Sequence, residues 1–403
     1  MSGPGVVIVG AGQGGLQAAI SLRQEGYGGS LTLIGAEPGL PYQRPPLSKA
    51  YLVEGDADAL TLRPESFFAA KNITYRPGTR VEAIDRTARQ VVLPDGERLD
   101  YDRLILATGT RNLRPPIWGL GRALDLRTLA DAGRLREVLV NPRRVAVIGG
   151  GFIGLEFSAA ARKLGHEVAV IEAADRLMAR VVSPLMSAHF RALHEGWGTE
   201  LHLGQPAAGV DETGVTLADG RHVAAETVLL AAGVCPNTEL AESAGIACNR
   251  GILVNDTLQT YDPRIYAIGE CASHRGIAYG LVAPLFEQAK VCANHLAQLG
   301  FSRYQGSVTS TKLKVTGIDL FSAGEFMGGE GTETITLSDP IGGVYKKLVI
   351  KDDVLVGACL YGDTADGGWY FRQIRENHNV SEIRDHLMFG EGAIGDVGHQ
   401  GAD

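Results

Sequence analysis

The sequence predicts an α/β fold in which two doubly wound units with parallel sheets precede a smaller C-terminal α+β domain. Two glycine-rich runs, at residues 10–15 and 149–154, each follow a short apolar β-like stretch and precede a helix-like one. From residue 311 onward, short β-like runs are followed by helical segments near 364–376 and 381–387. Strand, glycine turn and helix in this order are typical of parallel-sheet units, whereas the last part is typical of a separate α+β domain.

Both glycine runs carry the dinucleotide-binding fingerprint. In this motif the first glycine permits a tight turn, the second lets the backbone approach a pyrophosphate, and the last lets helix and strand pack closely. The pyrophosphate then lies at the helix N-terminus, where free N–H groups point at it. The predicted cofactor-binding residues are Gly10, Gly12, Gly14 and Gly15 in the first run, and Gly149, Gly151, Phe152, Ile153 and Gly154 in the second. The two runs therefore predict two Rossmann-like dinucleotide-binding domains, with electrons passing between the two dinucleotides.

An acidic residue follows each fingerprint where a ribose is expected. Glu37 and Glu172 each come about 20 residues after the last glycine of their motif, just after or at the end of a β-like run. A carboxylate there accepts hydrogen bonds from ribose hydroxyls and repels a 2′-phosphate, which favours NADH at the second site. The nearby Arg176 can weaken this preference. Alternatively, each glutamate only ends a strand.

Composition and charge narrow the function classes. The chain has 403 residues, enough for roughly two to three domains, and its net charge of −8 argues against nucleic acid or an anionic membrane as partner. No apolar run approaches the ~18 residues of a membrane span, and the first β-like run begins by Val6, so we expect a cytoplasmic protein without a signal peptide. The five cysteines form no Cys-x-x-Cys pair, so we predict buried thiols and no metal site.

Five further segments carry recognisable motifs. Residues 41–49 read Pro-Tyr-Gln-Arg-Pro-Pro-Leu-Ser-Lys, residues 106–109 read Leu-Ala-Thr-Gly, and residues 126–128 read Leu-Arg-Thr. Residues 151–156 and 265–270 each end in glutamate. In this order the segments resemble the FAD-dependent pyridine nucleotide-disulfide oxidoreductases of the ferredoxin-reductase and rubredoxin-reductase type. The resemblance covers nearly the whole chain and implies that FAD and NADH are the two dinucleotides.

The resemblance also implies roles for individual residues. Arg44 and Lys49 are expected along FAD, near its pyrophosphate and flavin, while Glu156 faces the nicotinamide amide and Glu270 holds the ribityl chain. Lys49 and Glu156 are the predicted catalytic residues. For Lys49 the reason is that a cation near flavin N5 favours the reduced, anionic flavin. Further cofactor-binding residues implied in this way are Ala107, Thr108 and Gly109 in the Ala-Thr-Gly turn, Arg127 near the flavin, Gly233 in the echo of that turn at 228–233, and Gly269 directly before Glu270 in the second FAD motif.

Each of these residues also has a plainer interpretation. Lys49 and Arg44 can be ordinary surface side chains. Glu156 can simply complement the dipole of a helix start, and Glu270 can be a turn acid. His274 is interpreted as a loop histidine, because no carboxylate that would orient it is evident beside it in the sequence.

The motifs divide the chain into three domains. A discontinuous FAD-binding domain is predicted over 1–115 and 241–310, with the NAD(P)H-binding domain at 116–240 between its two parts. The C-terminal α+β domain is predicted over 311–403. Four lysines of this last domain predict a basic docking surface for an acidic redox partner; these are Lys312, Lys314, Lys346 and Lys347. Alternatively, they form a solvated face without a partner.

A narrower resemblance concerns assimilatory NAD(P)H nitrite reductases, whose flavin-binding part is similar to four segments here. The segments are 269–276, 279–285, 310–317 and 360–364. The resemblance implies that Thr311 and Lys312 lie near the flavin. The sequence ends at Asp403 without the Cys-ligated cluster and siroheme domains of those enzymes, so we expect no nitrite reduction within this polypeptide.

The position of the cysteines bears on the reaction class. Related disulfide reductases and NADH oxidases carry reactive cysteines after the first fingerprint, whereas this chain has no cysteine before residue 235. A flavin without a sulfur relay gives its electrons to an external acceptor. The leading hypothesis is therefore an NADH-dependent flavoprotein, monomeric or homodimeric, that reduces a separate iron–sulfur or haem protein. The candidate acceptors are a ferredoxin, a rubredoxin, or a component of a nitrate or nitrite reductase. The alternatives are a direct NADH oxidase or small-molecule reductase, and a flavin-bound redox sensor.

Overall fold

The computed structural model describes residues 5–179, 181–297, 299–315, 318–339 and 341–395. They form two compact units, each with its own core. The first unit contains the chain up to Pro116 and the segments Leu124–Val140 and Ala232–Ser307. The second contains Ile117–Ala123, Asn141–Ala231 and the chain from Val308 onward. The finer division into three domains stays a prediction.

The secondary structure alternates between strands and helices before it becomes mostly β near the C-terminus. The helices are α1 (Gln13–Gln24), α2 (Ala50–Glu54), α3 (Glu65–Ala70), α4 (Leu129–Val138), α5 (Phe152–Lys163), α6 (Pro184–Gly196), α7 (Glu239–Ser243), α8 (Val282–Leu296), α9 (Gly367–Glu376) and α10 (Glu391–Gly395). The strands are β1 (Gly5–Val9), β2 (Leu31–Ile34), β3 (Thr74–Arg76), β4 (Ala83–Asp85), β5 (Gln90–Val92), β6 (Arg98–Leu106), β7 (Thr110–Asn112), β8 (Arg144–Ile148), β9 (Glu167–Glu172), β10 (Glu200–Leu203), β11 (Ala207–Val210), β12 (Gly214–Leu217), β13 (His222–Ala224), β14 (Thr227–Leu230), β15 (Val234–Pro236), β16 (Ile252–Val254), β17 (Ile265–Ala267), β18 (Ala272–His274), β19 (Ser310–Val315), β20 (Ile318–Gly324), β21 (Glu333–Asp339), β22 (Val344–Lys351) and β23 (Val354–Tyr361).

The first unit is built on a sheet with the strand order β3-β2-β1-β6-β5-β4, in which β17 also pairs with β6. Strands β2, β1, β6 and β17 are parallel, and Leu104 of β6 lies opposite both Val7 and Ile265. Every residue of β1 is buried, because apolar clusters cover both faces of the sheet. This arrangement brings the carboxyl ends of β1, β6 and β17 to one edge, where ligands of open α/β sheets bind.

The second unit contains a parallel sheet with the order β10-β9-β8-β14 and, from β19 onward, an antiparallel sheet with the order β19-β20-β23-β22-β21. Helix α9 packs on the antiparallel sheet, and its Trp369 and Tyr370 are buried there. The α/β fold with a C-terminal α+β part is thus as predicted. In the described residues, no helix is both long and apolar enough to span a membrane.

Two predicted helices differ in detail from the structure. Helix α8, predicted to about residue 299, ends at Leu296. The predicted helix at 381–387 is wrong, since only short 3-10 turns form at Ser381–Ile383 and Leu387–Phe389. A single turn cannot repay the entropy of starting a helix, and Gly390, with φ 84°, ends the segment.

Candidate functional site

The first glycine run forms an open turn between β1 and α1. Gly10 has φ 109°, a conformation that favours glycine, and a Cβ at Gly15 would lie 1.8 Å from the Gly10 carbonyl oxygen. Gly12 caps α1 without a side chain, and a Cβ added to it would meet no atom within 4 Å. Gly14 lies in the first turn of α1, which holds no acidic side chain. The space beside Gly12 is consistent with the predicted pyrophosphate at the N–H groups of this turn.

The second run repeats this geometry between β8 and α5. Gly149 has φ 118°, and a Cβ at Gly154 would lie 2.0 Å from the Gly149 carbonyl oxygen. Gly151 caps α5 and has open space around its Cα, and α5 begins with Phe152 and Ile153. In each turn the protein's own geometry requires glycine at the first and last fingerprint positions, while the middle glycine leaves open space, which fits a bound dinucleotide in both units.

Glu37 lies in a polar cluster of the first unit. Its carboxylate pairs with Arg44 and accepts a hydrogen bond of 2.6 Å from the Tyr42 hydroxyl. The same hydroxyl accepts a bond of 2.9 Å from the Leu129 N–H. Burial raises the pKa of Tyr42, so this hydroxyl stays protonated and available as a donor. Glu37 is thus held in place by side chains of the 41–49 motif.

A second carboxylate, Glu270, is connected to the same cluster. Glu270 pairs with Arg127 and accepts a hydrogen bond of 2.8 Å from the Thr110 hydroxyl. Arg127 also donates to the Thr110 carbonyl (3.1 Å), and Arg44 donates to the Arg127 carbonyl (2.8 Å). Two arginines therefore link the carboxylates predicted at the ribose and ribityl ends of FAD. Sequence reasoning missed Thr110, although it directly follows the Ala-Thr-Gly turn.

Gly269 sets the direction in which the chain leaves β17 toward Glu270. It has φ 76°, so the position favours glycine, and it begins the short 3-10 turn Gly269–Cys271. Its N–H donates to Oε1 of the buried Gln288 in α8, at 2.6 Å. This N–H is therefore engaged within the protein, and any contact of Gly269 with a cofactor would use the rest of its backbone. The predicted cofactor-binding role of Gly269 stays a prediction, and Gln288 is a residue that the sequence analysis missed.

The Ala-Thr-Gly turn is fastened by another residue that the sequence analysis missed. The Thr108 hydroxyl donates to the Asn237 carbonyl, and the Asn237 amide donates to the Thr108 carbonyl, both at 2.8 Å. Ala107 continues the parallel pairing by donating to the Val9 carbonyl. Gly109 and Gly233 have φ 66° and 107°, so both turns require glycine. The Pro-Asn pair at residues 236–237, shortly after the turn at Gly233, was the sequence feature that could have pointed to Asn237.

In the second unit, Glu172 lies against the second glycine turn. Its two carboxylate oxygens accept hydrogen bonds from the N–H groups of Gly150 (2.6 Å) and Ala174 (2.8 Å). Arg176 donates to the carbonyls of Val182 and Ala179. The guanidinium that was expected to weaken a preference for NADH is therefore engaged by the backbone.

The family comparisons agree with this geometry. The model of the pyridine nucleotide-disulphide oxidoreductases matches residues 4–295, and that of the rubredoxin NAD+ reductase C-terminal domain matches residues 310–378. This chain belongs to the pyridine nucleotide-disulphide oxidoreductase family. The comparisons confirm the predicted family, the predicted fold class and the expectation of two dinucleotide cofactors.

Individual relatives are similar over most of the chain. The nitrite reductase [NAD(P)H] of Bacillus subtilis is 38% identical, with 94% of this chain and 48% of the relative covered. The assimilatory nitrate reductase electron transfer subunit of the same organism is 37% identical, with 95% and 51% covered. This chain thus spans about half the length of these relatives. Among solved structures, the covalent putidaredoxin reductase–putidaredoxin complex has a TM-score of 0.89 at 32% identity, covering 99% of this chain and 100% of that one.

Lys49 and Glu156, the two residues predicted to be catalytic, differ in how deeply they are buried. Lys49 is half-buried between the 3-10 turn Pro45–Ser48 and helix α2. Glu156 lies in the second turn of α5 and is 7% exposed. Their roles toward flavin and nicotinamide stay predictions.

The interpretation of His274 as a plain loop histidine is wrong. The chain brings Asp256 to it, with Nε2 of His274 and Oδ1 of Asp256 2.8 Å apart. Arg275 and His274 together lower the pKa of Asp256 to about 2. The His274 ring also packs against Tyr304, with ring centres 4.8 Å apart. Sequence proximity could not reveal this partner, because the histidine and the carboxylate lie 18 residues apart.

The predicted basic docking surface is wrong at one of its four lysines, Lys346. Lys346 is 8% exposed, and its ammonium lies 2.7 Å from Asp363, whose pKa it lowers by that hydrogen bond. Lys347 donates to the Met327 carbonyl. Lys312, next to Thr311 in β19, is exposed, and the Lys314 side chain lies outside the part of the chain that the structure describes. That Thr311 and Lys312 lie near the flavin stays a prediction.

Four of the five cysteines have the properties of inert thiols. Burial raises the pKa of Cys271 and Cys292, and raises those of Cys248 to about 11 and Cys359 to about 12. All five cysteines are free thiols, and Cys235 is partly exposed. A thiol with a raised pKa holds almost no thiolate at neutral pH and is a poor nucleophile. Within the described ranges, no group of three or more His, Cys, Asp or Glu side chains could hold a metal ion.

Proposed function

We propose that this chain is an FAD-dependent NADH oxidoreductase that passes electrons through FAD to a separate redox protein. The observation that carries the proposal is the pair of matching glycine turns. Each is open at its middle glycine and each is followed by a carboxylate after or at the end of the next parallel strand. One turn of this kind binds one dinucleotide. Two such turns in one oxidoreductase therefore supply one site for the electron donor NADH and one site for the flavin.

We assign FAD to the first unit. Its pyrophosphate is proposed to lie at the N-terminus of α1, with Arg44 neutralising charge, Glu37 accepting from the adenosine ribose and Glu270 from the ribityl chain. The contacts within this cluster support the assignment, because they gather both carboxylates and both guanidiniums into one hydrogen-bonded cluster of the first unit. Lys49 is the proposed cation beside the flavin. When bound, FAD accepts a hydride and releases the electrons one at a time.

NADH is assigned to the second unit, with its pyrophosphate at the N-terminus of α5 and its adenosine ribose on Glu172. Glu156 is proposed to accept from the nicotinamide amide. Its place in α5, shortly after the last fingerprint glycine, supports this role. The Arg176 guanidinium is held by backbone carbonyls and is not free to bind the 2′-phosphate of NADPH.

The acceptor is proposed to be a small iron–sulfur or haem protein. Four of the five cysteines have raised pKa values and hold almost no thiolate to relay electrons, which supports transfer of the electrons from the flavin itself. The structural relative in complex with putidaredoxin, and the relative named as an electron transfer subunit, both support a protein acceptor. A location in the cytoplasm is proposed on the sequence alone.

One experiment tests the assignment. The purified protein is denatured and its flavin identified, and the intact protein is mixed with NADH without oxygen while the flavin absorbance is followed. We expect FAD, fast bleaching, slow reoxidation by oxygen and fast reoxidation by a ferredoxin or rubredoxin. FMN in place of FAD, or bleaching with fast reduction of oxygen, would contradict the proposal; the second result would instead indicate an NADH oxidase.

A further inference from the structure

Gly150 lies between two fingerprint glycines at a position that the motif leaves free. Its neighbour Gly149 has φ 118° and needs glycine for conformational reasons, whereas Gly150 is outside the left-handed region. Any residue could adopt the Gly150 backbone. The reason for glycine at this position must therefore come from its surroundings.

The space beside Gly150 is filled by the loop that follows β9. A Cβ on Gly150 would lie 2.8 Å from Cδ2 of Leu177, and 3.2 Å from both Cβ and Oε2 of Glu172. Leu177 is fully buried, so its side chain has little freedom to move away. A methyl group at position 150 would therefore press on the carboxylate assigned to the ribose.

Both backbone polar groups of Gly150 are used to hold that loop. Its N–H donates to Oε2 of Glu172 (2.6 Å), and its carbonyl accepts from the N–H of Met178 (3.0 Å). Met178 has φ 54°, an uncommon conformation for a non-glycine residue that persists only where the surroundings enforce it. The loop from Glu172 to Met178 is thus docked at both ends on one glycine.

This docking orients the carboxylate and leaves part of it free. The N–H groups of Gly150 and Ala174 each use one acceptor position, and an ionised carboxylate offers about four. The remaining positions can accept from two ribose hydroxyls. A 2′-phosphate in the same place would meet a fixed negative charge, since Glu172 cannot rotate away without losing both N–H bonds.

We propose that Gly150 is a specificity-determining residue, which positions Glu172 so that NADH is accepted and NADPH is excluded. The inference rests on the NADH site proposed above and adds a residue to it. Gly150 acts through Glu172 and is a positioning residue. An alanine at this position keeps the fold of the turn but displaces the carboxylate.

The test compares Gly150→Ala with Gly151→Ala in the FAD-loaded protein, measuring the dissociation constants of NADH and NADPH separately. Gly151 has no atom within 4 Å of a new Cβ and has φ −87°, so alanine there obstructs only the pyrophosphate, which both nucleotides share. We expect Gly150→Ala to lower the preference for NADH by about tenfold or more, which is about 1.4 kcal/mol. Gly151→Ala should weaken both nucleotides by the same factor.

Glu172→Ala separates this inference from the proposed function. If Glu172→Ala loses the preference and Gly150→Ala keeps it, Gly150 has no positioning role, while the NADH site stands. If both variants keep the preference, the ribose is not on Glu172 and the proposed site fails.

Hydrogen exchange gives a measurement that does not depend on the folding of Gly150→Ala. In the wild-type protein, the Gly150 N–H is expected to exchange slowly, and in Glu172→Ala its exchange should become at least about tenfold faster. Equal exchange in the two proteins would overturn the inference. Thermal melting and FAD content of every variant identify any general loss of structure.

Discussion

His194 in helix α6 is expected to make the protein sensitive to mild acid. The side chain is fully buried, and neither ring nitrogen has a hydrogen-bond partner in the described structure. Its ring packs against Trp197, with centres 5.0 Å apart. Burial lowers the pKa of His194 from 6.5 to about 4, because a charged imidazolium would lie in an apolar site without a partner.

The size and sign of the effect follow from this pKa. Above pH 6.5 His194 is neutral in both the folded and the unfolded chain, so it adds no pH dependence. Between pH 6.5 and about 4 only the unfolded chain takes up the proton, and the free energy of unfolding falls by about 1.4 kcal/mol per pH unit. The full loss is about 3 kcal/mol, of which about 2 kcal/mol is lost between pH 8 and pH 5.

The assay is urea unfolding of the FAD-loaded protein at pH 8 and pH 5. His194→Met replaces the ring by an apolar side chain of similar volume that suits a helix. The wild type should lose about 2 kcal/mol more than this variant between the two pH values. His386→Gln, at an exposed histidine, should behave like the wild type. The reasoning is refuted if His194→Met and wild type lose equal stability on acidification.

Three further predictions concern the site and the C-terminal sheet. Replacing all five cysteines by serine or alanine should change the rate of flavin reduction by NADH less than about tenfold in stopped flow; a larger loss would reveal a sulfur relay. Thr110→Val should raise the dissociation constant of FAD by about tenfold, since Glu270 loses a donor worth about 1.5 kcal/mol, while Thr110→Ser should bind FAD like the wild type. An equal affinity for the two variants would show that the hydroxyl is dispensable. Lys346→Met should lower the free energy of unfolding by about 1–3 kcal/mol because Asp363 loses its cation, and adding Asp363→Asn should restore part of it. No recovery in the double variant would mean that the pair contributes little.

The sequence alone determined the features that depend on neighbouring residues. An apolar run, three glycines at fixed spacing and a helix-like stretch specify a strand, a turn and a helix without help from the rest of the chain. Gly10 and Gly149 therefore have the conformations expected, and Glu37 and Glu172 lie after or at the ends of their strands. The change of pattern at residue 311 likewise predicted the short strands that follow, because strand alternation is also local.

Only the tertiary structure decided which charged and polar groups meet. The hydrogen bonds from His274 to Asp256 and from Thr110 to Glu270 join residues that are distant in the sequence. Composition suggested that Lys346 is exposed, yet the antiparallel sheet buries it beside a carboxylate. The few residues around a turn or a helix start are enough to specify it, whereas they do not specify the partner of a charged side chain. Its partner is set by strand order and register, which emerge only when distant segments pack together.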